Sequence, residues 1–360
     1  MFRNLRYGLI GAGRNAERKH ISGYLKVPNV EFVSICDVNK EKAKKIGSQY
    51  GIENVYDDYV EMIKKENLDI VSICTPNSLH ADIAIFALMN GVHVHCEKPL
   101  AINAKEAKRI LDAKNKSGKK VMVGLNNRFT NEAVFLKDYI EKGFLGEVYQ
   151  AKAGWIRRSG IPGRGTWFTN KELSGGGVLI DLGVHYLDLV LYLMGMPDPS
   201  YITGSTFTNF DKTLTRDRPG YSRSVNGIYN VEDSAVGFLN LMGGRTVSFE
   251  FSWAANIAEE KTFVELIGTK GGASLINGNL QIYSEINGTC VDISPKIDKS
   301  TFFKNEFEHF VNCIIFNEEP IAPPEHGVYM MEIVDHFYDS AKKQEPLCIS
   351  SCSQVLHNSY

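Results

Sequence analysis

The segment HCEKPLA, residues 95–101, places Lys98 directly before Pro99 at the end of an apolar run. Proline restricts the residue before it to extended conformations, or else the two are joined by a cis bond, so the lysine is held where a strand ends. An ammonium group at a fixed position can stabilise a developing alkoxide or transfer its proton. The competing interpretation is a surface lysine on a loop, and the residues alone leave both open.

A second group of chemically active side chains lies in residues 174–195, SGGGVLIDLGVHYLDLVLYLMG. The apolar pattern predicts a buried helix over 177–194, in which Asp181, His185 and Asp188 share one face. Burying ionisable groups is costly, so this face is either hydrogen-bonded internally or lines a cavity. His185 is suited to act as a general base near neutral pH, and Asp188 to a structural role. The alternative for His185 is a core histidine paired with Asp181.

The elements that position these groups begin with a strand-like run at 7–10, which leads into a G-x-G-x-x-A pattern of Gly11, Gly13 and Ala16. The first glycine allows a tight turn, the second lets backbone approach a pyrophosphate, and the small third residue lets helix and strand pack closely. Asp37 ends the next β-type run, at the spacing of a carboxylate that binds an adenosine ribose. A carboxylate there repels a 2′-phosphate, so the pattern predicts NAD rather than NADP. An ordinary turn residue is the alternative for Asp37.

Further β-type runs at 69–74, 92–96 and 119–125 alternate with helical patterns. This alternation predicts a parallel, doubly wound sheet, whose ligands bind beyond the carboxyl ends of the strands. The segments TPN, 75–77, and EKP, 97–99, lie at two such ends. The residues assigned to the cofactor are Gly11, Gly13, Arg14, Asn15, Asp37, Thr75, Pro76, Asn77, His80, Glu97 and Lys98.

After residue 125, long β-type runs follow one another without intervening helices. They predict an α+β domain with a large, mostly antiparallel open sheet. One face of that sheet would be covered by its own helices, and the other could pack on a partner subunit. The predicted fold class is therefore α/β, with a nucleotide-binding domain at 1–125 and a domain for substrate binding and oligomerisation at 126–360.

The loop at 157–170 is a candidate for binding the substrate, because it combines arginines with an aromatic side chain directly before the predicted helix. Arg157, Arg158 or Arg164 could contact hydroxyls or an acidic group, and Trp167 could lie against the apolar face of a sugar ring. The alternative is a solvated loop whose Trp167 packs at a domain seam.

A longer polar connection at 209–233 is typical of a lid, or of an arm across a subunit. Asn126, Asn127 and Arg128, which follow the last strand of the first domain, are further candidates for contacts near the cleft. The residues assigned to the substrate are Lys98, Arg128, Arg157, Trp167, Asp181 and His185.

Composition and charge disfavour several classes of partner. The formal net charge of -2 gives no general attraction for nucleic acid or an anionic membrane surface. The apolar stretch at 186–196 is too short to span a bilayer, and seven scattered cysteines fit a reducing cytoplasm. In a strand His93 and His95 face one way and Cys96 the other, so they do not predict a metal site.

Three motifs together resemble a known family: GLIGAG at 8–13, EKP at 97–99 and GGGVLIDLGVHYLDL at 175–189. In order and spacing they are similar to the glucose-fructose oxidoreductase, inositol dehydrogenase and MocA (Gfo/Idh/MocA) family of NAD(P)-dependent oxidoreductases. The final segment, HGVYMMEIVDHFYDSAKKQEPLCI at 326–349, is similar to the usual C-terminal helix of that family. The resemblance therefore covers essentially the whole chain and implies an N-terminal Rossmann domain.

The same resemblance implies that Lys98, Asp181 and His185 are the catalytic residues. It also implies oxidation or reduction of a secondary alcohol on a sugar, glycoside or cyclitol, and assembly into a homodimer or homotetramer. In the preferred reaction, His185 takes the hydroxyl proton, Lys98 stabilises the alkoxide and Asp181 orients the imidazole or a neighbouring hydroxyl. Whether His185 or Lys98 is the base stays open.

Two alternative functions are compatible with the sequence. In the first, NAD is a recycled prosthetic group: transient oxidation of one ring carbon acidifies its neighbour and permits elimination or glycoside cleavage. In the second, the protein is a nicotinamide-dependent sensor without catalysis. The joint presence of Lys98, Asp181 and His185 disfavours the sensor, because a protein that only binds needs no groups that handle protons.

Overall fold

Contacts within the chain divide it into two units. The structure is a computed structural model that describes residues 3–298 and 305–349. The first unit contains Met1–Leu125 and Asn305–Met331, and the second contains Asn126–Lys304 and Glu332–Tyr360. The sequence pattern places everything after residue 125 in the second domain, so the assignment of 305–331 differs.

A six-stranded parallel sheet forms the centre of the first unit, with strand order 3-2-1-4-5-6. This order is that of a doubly wound Rossmann sheet, as predicted. Its central strands are buried on both faces, which explains their nearly continuous apolar sequences. The strands are β1 (Leu5–Ile10), β2 (Val30–Cys36), β3 (Asn54–Tyr56), β4 (Ile70–Ile73), β5 (His93–Cys96) and β6 (Val121–Val123).

A nine-stranded sheet forms the centre of the second unit, in the order 14-13-12-11-7-10-9-8-15. Its pairs are antiparallel except for the parallel pair of strands 7 and 10, so the mostly antiparallel sheet is confirmed. The strands are β7 (Val148–Ile156), β8 (Pro199–Phe207), β9 (Ser234–Leu241), β10 (Thr246–Ser252), β11 (Lys261–Gly268), β12 (Gly272–Ile276), β13 (Asn279–Ile286), β14 (Thr289–Ile293) and β15 (Leu347–Cys348).

A polar side chain and a glycine fix the two ends of one helix in the first unit. For α5, the Asn103 side chain accepts the backbone N–H of Glu106 at 2.9 Å, and Gly118 closes the helix with φ of 66°. The α-helices are α1 (Ser22–Tyr24), α2 (Lys40–Gln49), α3 (Tyr59–Lys65), α4 (His80–Met89), α5 (Ala104–Ser117), α6 (Asn131–Glu141), α7 (Lys171–Ser174), α8 (Val184–Leu193), α9 (Glu306–Phe316) and α10 (Pro324–Lys343).

Two short π-helical segments directly precede α-helices, Ala16–Ile21 before α1 and Leu179–Gly183 before α8. Such segments occur frequently at functional sites, because they shift the register of the side chains that follow. Asp181 lies within the second segment, so its relation to His185 differs from the ideal helical spacing that the sequence pattern assumes.

Charged contacts explain why residues 305–331 belong to the first unit. Glu319 pairs with Lys120 at 2.6 Å, and Glu325 pairs with Lys114 at 2.9 Å. The backbone N–H of Val123 donates to Ala322 at 2.9 Å. These partners lie about 200 residues apart in sequence, so local patterns cannot reveal them.

The helical segment Lys171–Leu193 is long and apolar enough to cross a membrane by length and composition. However, 78% of its most apolar stretch is buried inside the protein, as in the core helix of a globular protein. This segment is therefore weak evidence for a membrane span.

Candidate active site

The turn after β1 is shaped by two glycines with different surroundings. Gly11 has φ of 93°, and a Cβ atom there would lie 2.6 Å from the backbone carbon and oxygen of Cys74. A Cβ atom on Gly13 would meet nothing within 4 Å. The first glycine is therefore required by the fold, whereas the second leaves open space that fits the pyrophosphate of a dinucleotide.

The carboxylate of Asp37, directly after β2, is held by backbone donors. Its Oδ2 accepts the N–H of Ala12 at 2.8 Å, and its Oδ1 accepts the N–H of Asn39 at 2.9 Å. The Nζ atom of Lys42 lies 3.6 Å from the same carboxylate. These contacts fix the acid beside the glycine turn, where the adenosine ribose is expected.

The segment after β4 carries a polar atom that suits a ligand. Thr75 Oγ1 is buried and has no hydrogen-bond partner within the described residues. Its neighbour Asn77 is also buried, whereas Arg14 and Asn15 are exposed next to the glycine turn. Buried polar groups are normally satisfied, so the Thr75 hydroxyl fits a donor or acceptor of bound NAD.

The environment of His80 differs from that of a side chain that contacts a bound cofactor. Its Nδ1 lies 2.9 Å from the carbonyl oxygen of Pro99, and its Nε2 lies 3.1 Å from that of Thr75. Its ring is fully buried, and burial lowers its pKa. The structure therefore does not support direct contact with the cofactor: the ring joins the two loops that follow β4 and β5.

Contacts of Glu97 fix the chain between the end of β5 and Lys98. The Glu97 carboxylate contacts His20 Nε2 at 2.9 Å and Lys19 Nζ at 3.5 Å, and it accepts the backbone N–H of Lys98 at 3.2 Å. The bond between Lys98 and Pro99 is cis. Glu97 is thus committed to its own neighbours, while the Lys98 side chain is partly exposed at the carboxyl edge of the sheet.

In the second unit, Asp181 and His185 are both partly exposed on the helical stretch that ends with α8. The indole Nε1 of Trp253 donates to Asp181 Oδ2 at 2.9 Å. The centroids of the His185 and Trp155 rings lie 6.3 Å apart. The Asn127 side chain donates to the backbone oxygen of His185 at 3.3 Å, which steadies the helix at this point.

Arg157 lies in the same part of the second unit and is 3% exposed. Its guanidinium lies 4.2 Å from the Trp155 ring centroid, and its Nε is 3.5 Å from the Glu260 carboxylate. Burial lowers the pKa of Arg157, and the Asp181 charge opposes that effect. Trp155, Glu260 and Trp253 were missed by the sequence analysis, because each is an isolated aromatic or acidic residue on a strand or loop.

The predicted substrate contact Arg128 is instead part of a buried ion pair. Its Nε donates to Asp188 Oδ2 at 2.9 Å and its Nη2 to Oδ1 at 2.5 Å. The Arg128 side chain is 0% exposed, and its guanidinium lies 4.5 Å from the Tyr192 ring centroid. Because its side chain is fully buried and one guanidinium edge is occupied by the Asp188 carboxylate, the structure assigns Arg128 a packing role, and Asp188 is buried with it whereas Asp181 and His185 are partly exposed.

The connection 209–233 packs on the loop 157–170 of its own chain. Arg164 is buried, and its Nε donates to Asp217 at 2.6 Å. A Cβ atom on Gly165 would lie 1.9 Å from the backbone oxygen of Ser224. Arg164 therefore anchors this connection and is committed to it, whereas the charge of Arg157 interacts with that of Asp181.

Glu232, at the end of the same connection, caps the start of the helical stretch before α8. Its carboxylate accepts the backbone N–H groups of Gly177 at 3.0 Å and Leu179 at 3.1 Å, and the hydroxyl of Tyr338 at 2.8 Å. Burial raises the pKa of Glu232. The 209–233 connection thus ends in a residue that fixes the helix of Asp181.

The other predicted contacts have varied surroundings. Trp167 stacks on Phe168, with a ring distance of 3.9 Å, and stays partly exposed. Arg158 is exposed and donates to the backbone oxygen of Ala258 at 3.0 Å. Asn126 Oδ1 is buried without a hydrogen-bond partner among the described residues. Across residues 3–298 and 305–349, no group of three metal-binding side chains comes together.

Comparison with family models gives two matches that follow one another along the chain. Residues 5–125 match the model described as an oxidoreductase family with an NAD-binding Rossmann fold. Residues 134–274 match the model of the GFO/IDH/MocA C-terminal domain. Together the matches cover most of the chain.

Curated relatives and solved structures agree with these matches. The D-glucoside 3-dehydrogenase of Escherichia coli (strain K12) is 34% identical over 341 residues, which cover 94% of this chain and 95% of the relative. The scyllo-inositol 2-dehydrogenase (NAD(+)) of Bacillus subtilis (strain 168) is 27% identical, with coverage of 89% and 90%. The structure of a levoglucosan dehydrogenase in complex with NADH and L-sorbose has the same fold, with a TM-score of 0.85 at 23% identity, over 97% of this chain and 100% of that one.

Gly11→Ala and Gly13→Ala should separate the fold from cofactor binding. Gly11→Ala should lower the unfolding temperature, because its Cβ atom collides with backbone and its positive φ becomes strained. Gly13→Ala should keep that temperature but weaken NAD binding by about tenfold or more, roughly 1.4 kcal/mol. Thermal unfolding and calorimetric titration with NAD check both. Unchanged NAD affinity in Gly13→Ala would contradict the assignment.

Asp188→Asn should destabilise the protein by about 3 kcal/mol, because it leaves the buried guanidinium of Arg128 without its charge partner. Chemical denaturation measures this loss. Arg128→Met combined with Asp188→Leu should recover part of it, since neither charge is then buried alone. If Arg128→Met instead keeps full stability and raises only the KM for substrate, Arg128 contacts the substrate after all.

Proposed function

Since the chain belongs to the Gfo/Idh/MocA family of oxidoreductases, we propose that it transfers hydride between NAD(H) and a secondary alcohol on a sugar, glycoside or cyclitol ring. The observation that carries the proposal is the presence of Asp181 and His185 on one partly exposed helical stretch, with the Trp155 ring near His185 and the Arg157 guanidinium against that ring. These side chains offer a proton acceptor, hydrogen-bonding groups and an aromatic surface, as a polar ring with many hydroxyls requires.

Each residue has a separate role in the proposed reaction. Bound NAD supplies the hydride acceptor at C4 of its nicotinamide ring. His185 accepts the hydroxyl proton through its imidazole, and Asp181 orients a substrate hydroxyl, with its own carboxylate held by the indole of Trp253. Lys98 donates a hydrogen bond to the oxygen that becomes the carbonyl and so stabilises its negative charge. The Glu97 contacts hold the backbone from which Lys98 extends.

The substrate class is argued from the surroundings of Arg157. Trp155 offers a flat apolar surface on which a pyranose or cyclitol ring packs, and the buried Arg157 guanidinium, which lies against that indole, holds it in place. The relatives named D-glucoside 3-dehydrogenase and scyllo-inositol 2-dehydrogenase act on this chemical class. We therefore expect glucosides, free sugars and cyclitols as substrates, and a cytoplasmic location remains a prediction.

The direct test incubates purified protein and NAD with a panel of glycosides, free sugars, cyclitols and nucleotide sugars while NADH absorbance is recorded. Accumulation of NADH with one substrate class supports the proposal. Sugar products without NADH would replace it by the recycled-cofactor alternative. Binding of NAD and sugar without any product would replace it by the sensor.

Lys98→Met and His185→Asn should each lower kcat by about 100-fold or more, because each removes a group that handles charge in the transition state. The dissociation constant for NAD should stay nearly unchanged in His185→Asn, which lies outside the residues assigned to the cofactor. Lys105→Met, an exposed lysine on α5, is the matched control and should retain full activity. Near-normal kcat in both site variants would show that other groups carry the chemistry.

The exposed face of the nine-stranded sheet supports assembly into a homodimer or homotetramer. Tyr201 pairs with Asn240 on the neighbouring strand, and alternate residues of a strand share a face, so Tyr201 lies on the same face as Val236 and Phe238. All three side chains are at least 38% exposed. Phe238→Glu should therefore shift the protein towards monomer in sedimentation at micromolar concentration, because it places a charge in the apolar interface. Met89→Glu, an exposed position in the first unit, is the control. A wild-type protein that sediments as a monomer would exclude this interface.

A further inference from the structure

A buried cluster of charged and polar side chains lies behind the carboxyl ends of β4 and β5 in the first unit. We call it the Glu97 cluster, and it consists of Lys19, His20, His95, Glu97 and Glu306. Both histidine side chains are 0% exposed and both carboxylates less than 10%, whereas the Lys19 side chain is 29% exposed. Burial of so many ionisable groups is costly unless each is paired.

The cluster consists of two similar histidine–glutamate pairs. His20 Nε2 donates to Glu97 Oε1 at 2.9 Å, and its Nδ1 lies 2.9 Å from the hydroxyl of Ser72. His95 Nε2 donates to Glu306 Oε1 at 3.2 Å. The hydroxyl of Tyr24 lies 3.0 Å from His95 Nδ1. Each carboxylate thus receives a fixed imidazole donor, and each imidazole is oriented by a hydroxyl.

Lys19 bridges the two pairs. Its Nζ atom lies 3.5 Å from Glu97 Oε1 and 3.8 Å from Glu306 Oε2. Lys19 lies in the π-helical segment Ala16–Ile21, six residues after Gly13 of the glycine turn. The lysine therefore connects the turn that approaches the pyrophosphate with the loop that carries Lys98.

The cluster contains two carboxylates and one ammonium group that act on each other. Burial alone would raise the pKa of Glu97 and of Glu306, but the Lys19 ammonium holds both below their ordinary values. The two carboxylates in turn raise the pKa of Lys19 against the effect of burial. Burial lowers the pKa of His95, so this imidazole is neutral. The Lys19 ammonium thus lies between two ionised carboxylates.

The charged groups of the Glu97 cluster lie in the half of the sheet that is expected to receive the nicotinamide ring of the cofactor. The order of the sheet changes direction between β1 and β4, and a dinucleotide binds across that point. The second half of the sheet, which contains β4 and β5, is the half that receives the nicotinamide. Oxidised NAD carries one more positive charge on that ring than NADH does. A charge at this edge therefore acts differently on the two redox forms.

We propose that the Glu97 cluster sets the relative affinity of the protein for NAD⁺ and NADH, and that Lys19 limits its preference for NAD⁺. The two carboxylates attract the positive ring of the oxidised form, and the Lys19 ammonium offsets part of that attraction. The cluster acts through its charge, without contact to the reacting atoms. This inference rests on NAD binding, and it is independent of the proposed sugar substrate.

The test measures dissociation constants for NAD⁺ and NADH by calorimetric titration of purified protein without sugar. Lys19→Met should raise the ratio of the NADH constant to the NAD⁺ constant by about fivefold or more. Glu97→Gln and Glu306→Gln should lower the same ratio, because each removes a negative charge while keeping the shape. The controls Lys44→Met and Glu61→Gln change exposed charges elsewhere in the first unit and should leave the ratio unchanged.

Opposite shifts in the lysine and glutamate variants distinguish a role in electrostatics from one in packing alone. If Lys19→Met and Glu97→Gln weaken both redox forms by the same factor, the cluster only supports the fold and the inference is wrong. Circular dichroism shows whether each variant is folded. If a glutamine variant does not fold, the Lys19→Met variant still tests the inference, since the Lys19 side chain is partly exposed. If the sugar panel described under the proposed function gives no product, the dissociation constants for NAD⁺ and NADH stay valid, so the two proposals can fail separately.

Discussion

Fixing a carboxylate at the end of β5 is the interaction on which the first unit depends. Glu97 is buried, yet it stays ionised because Lys19, His20 and the backbone N–H of Lys98 surround it. A buried carboxylate without these donors would be expensive, so the loop has little freedom to move away. The position from which the Lys98 side chain extends is therefore determined by buried electrostatics and only indirectly by packing.

The second unit follows the same principle with different partners. Glu232 caps the helical stretch that carries Asp181, and Arg164 anchors the connection that delivers Glu232. The buried pair of Arg128 and Asp188 holds α8 one turn beyond His185. Each buried charge is satisfied by a residue far away in sequence, which leaves Asp181 and His185 partly exposed for chemistry.

Local signals explain which parts of this arrangement the sequence could reveal. The glycine turn and the apolar strands each depend on neighbouring residues, so the two sheets were predicted correctly. The pair of His95 and Glu306 spans 211 residues, and that of Arg128 and Asp188 spans 60. No periodicity encodes such contacts. For that reason the place of 305–331 and the burial of Arg128 became visible only in the structure.

The central claim is that hydride passes directly between a ring carbon and the nicotinamide. It is tested most directly with the accepted glycoside or cyclitol deuterated at every ring carbon, followed by mass spectrometry of the cofactor after one turnover. The account predicts one deuterium atom on C4 of the nicotinamide. Reaction of the sugar with an unlabelled nicotinamide, and with the deuterium still on the sugar or lost to water, would contradict it.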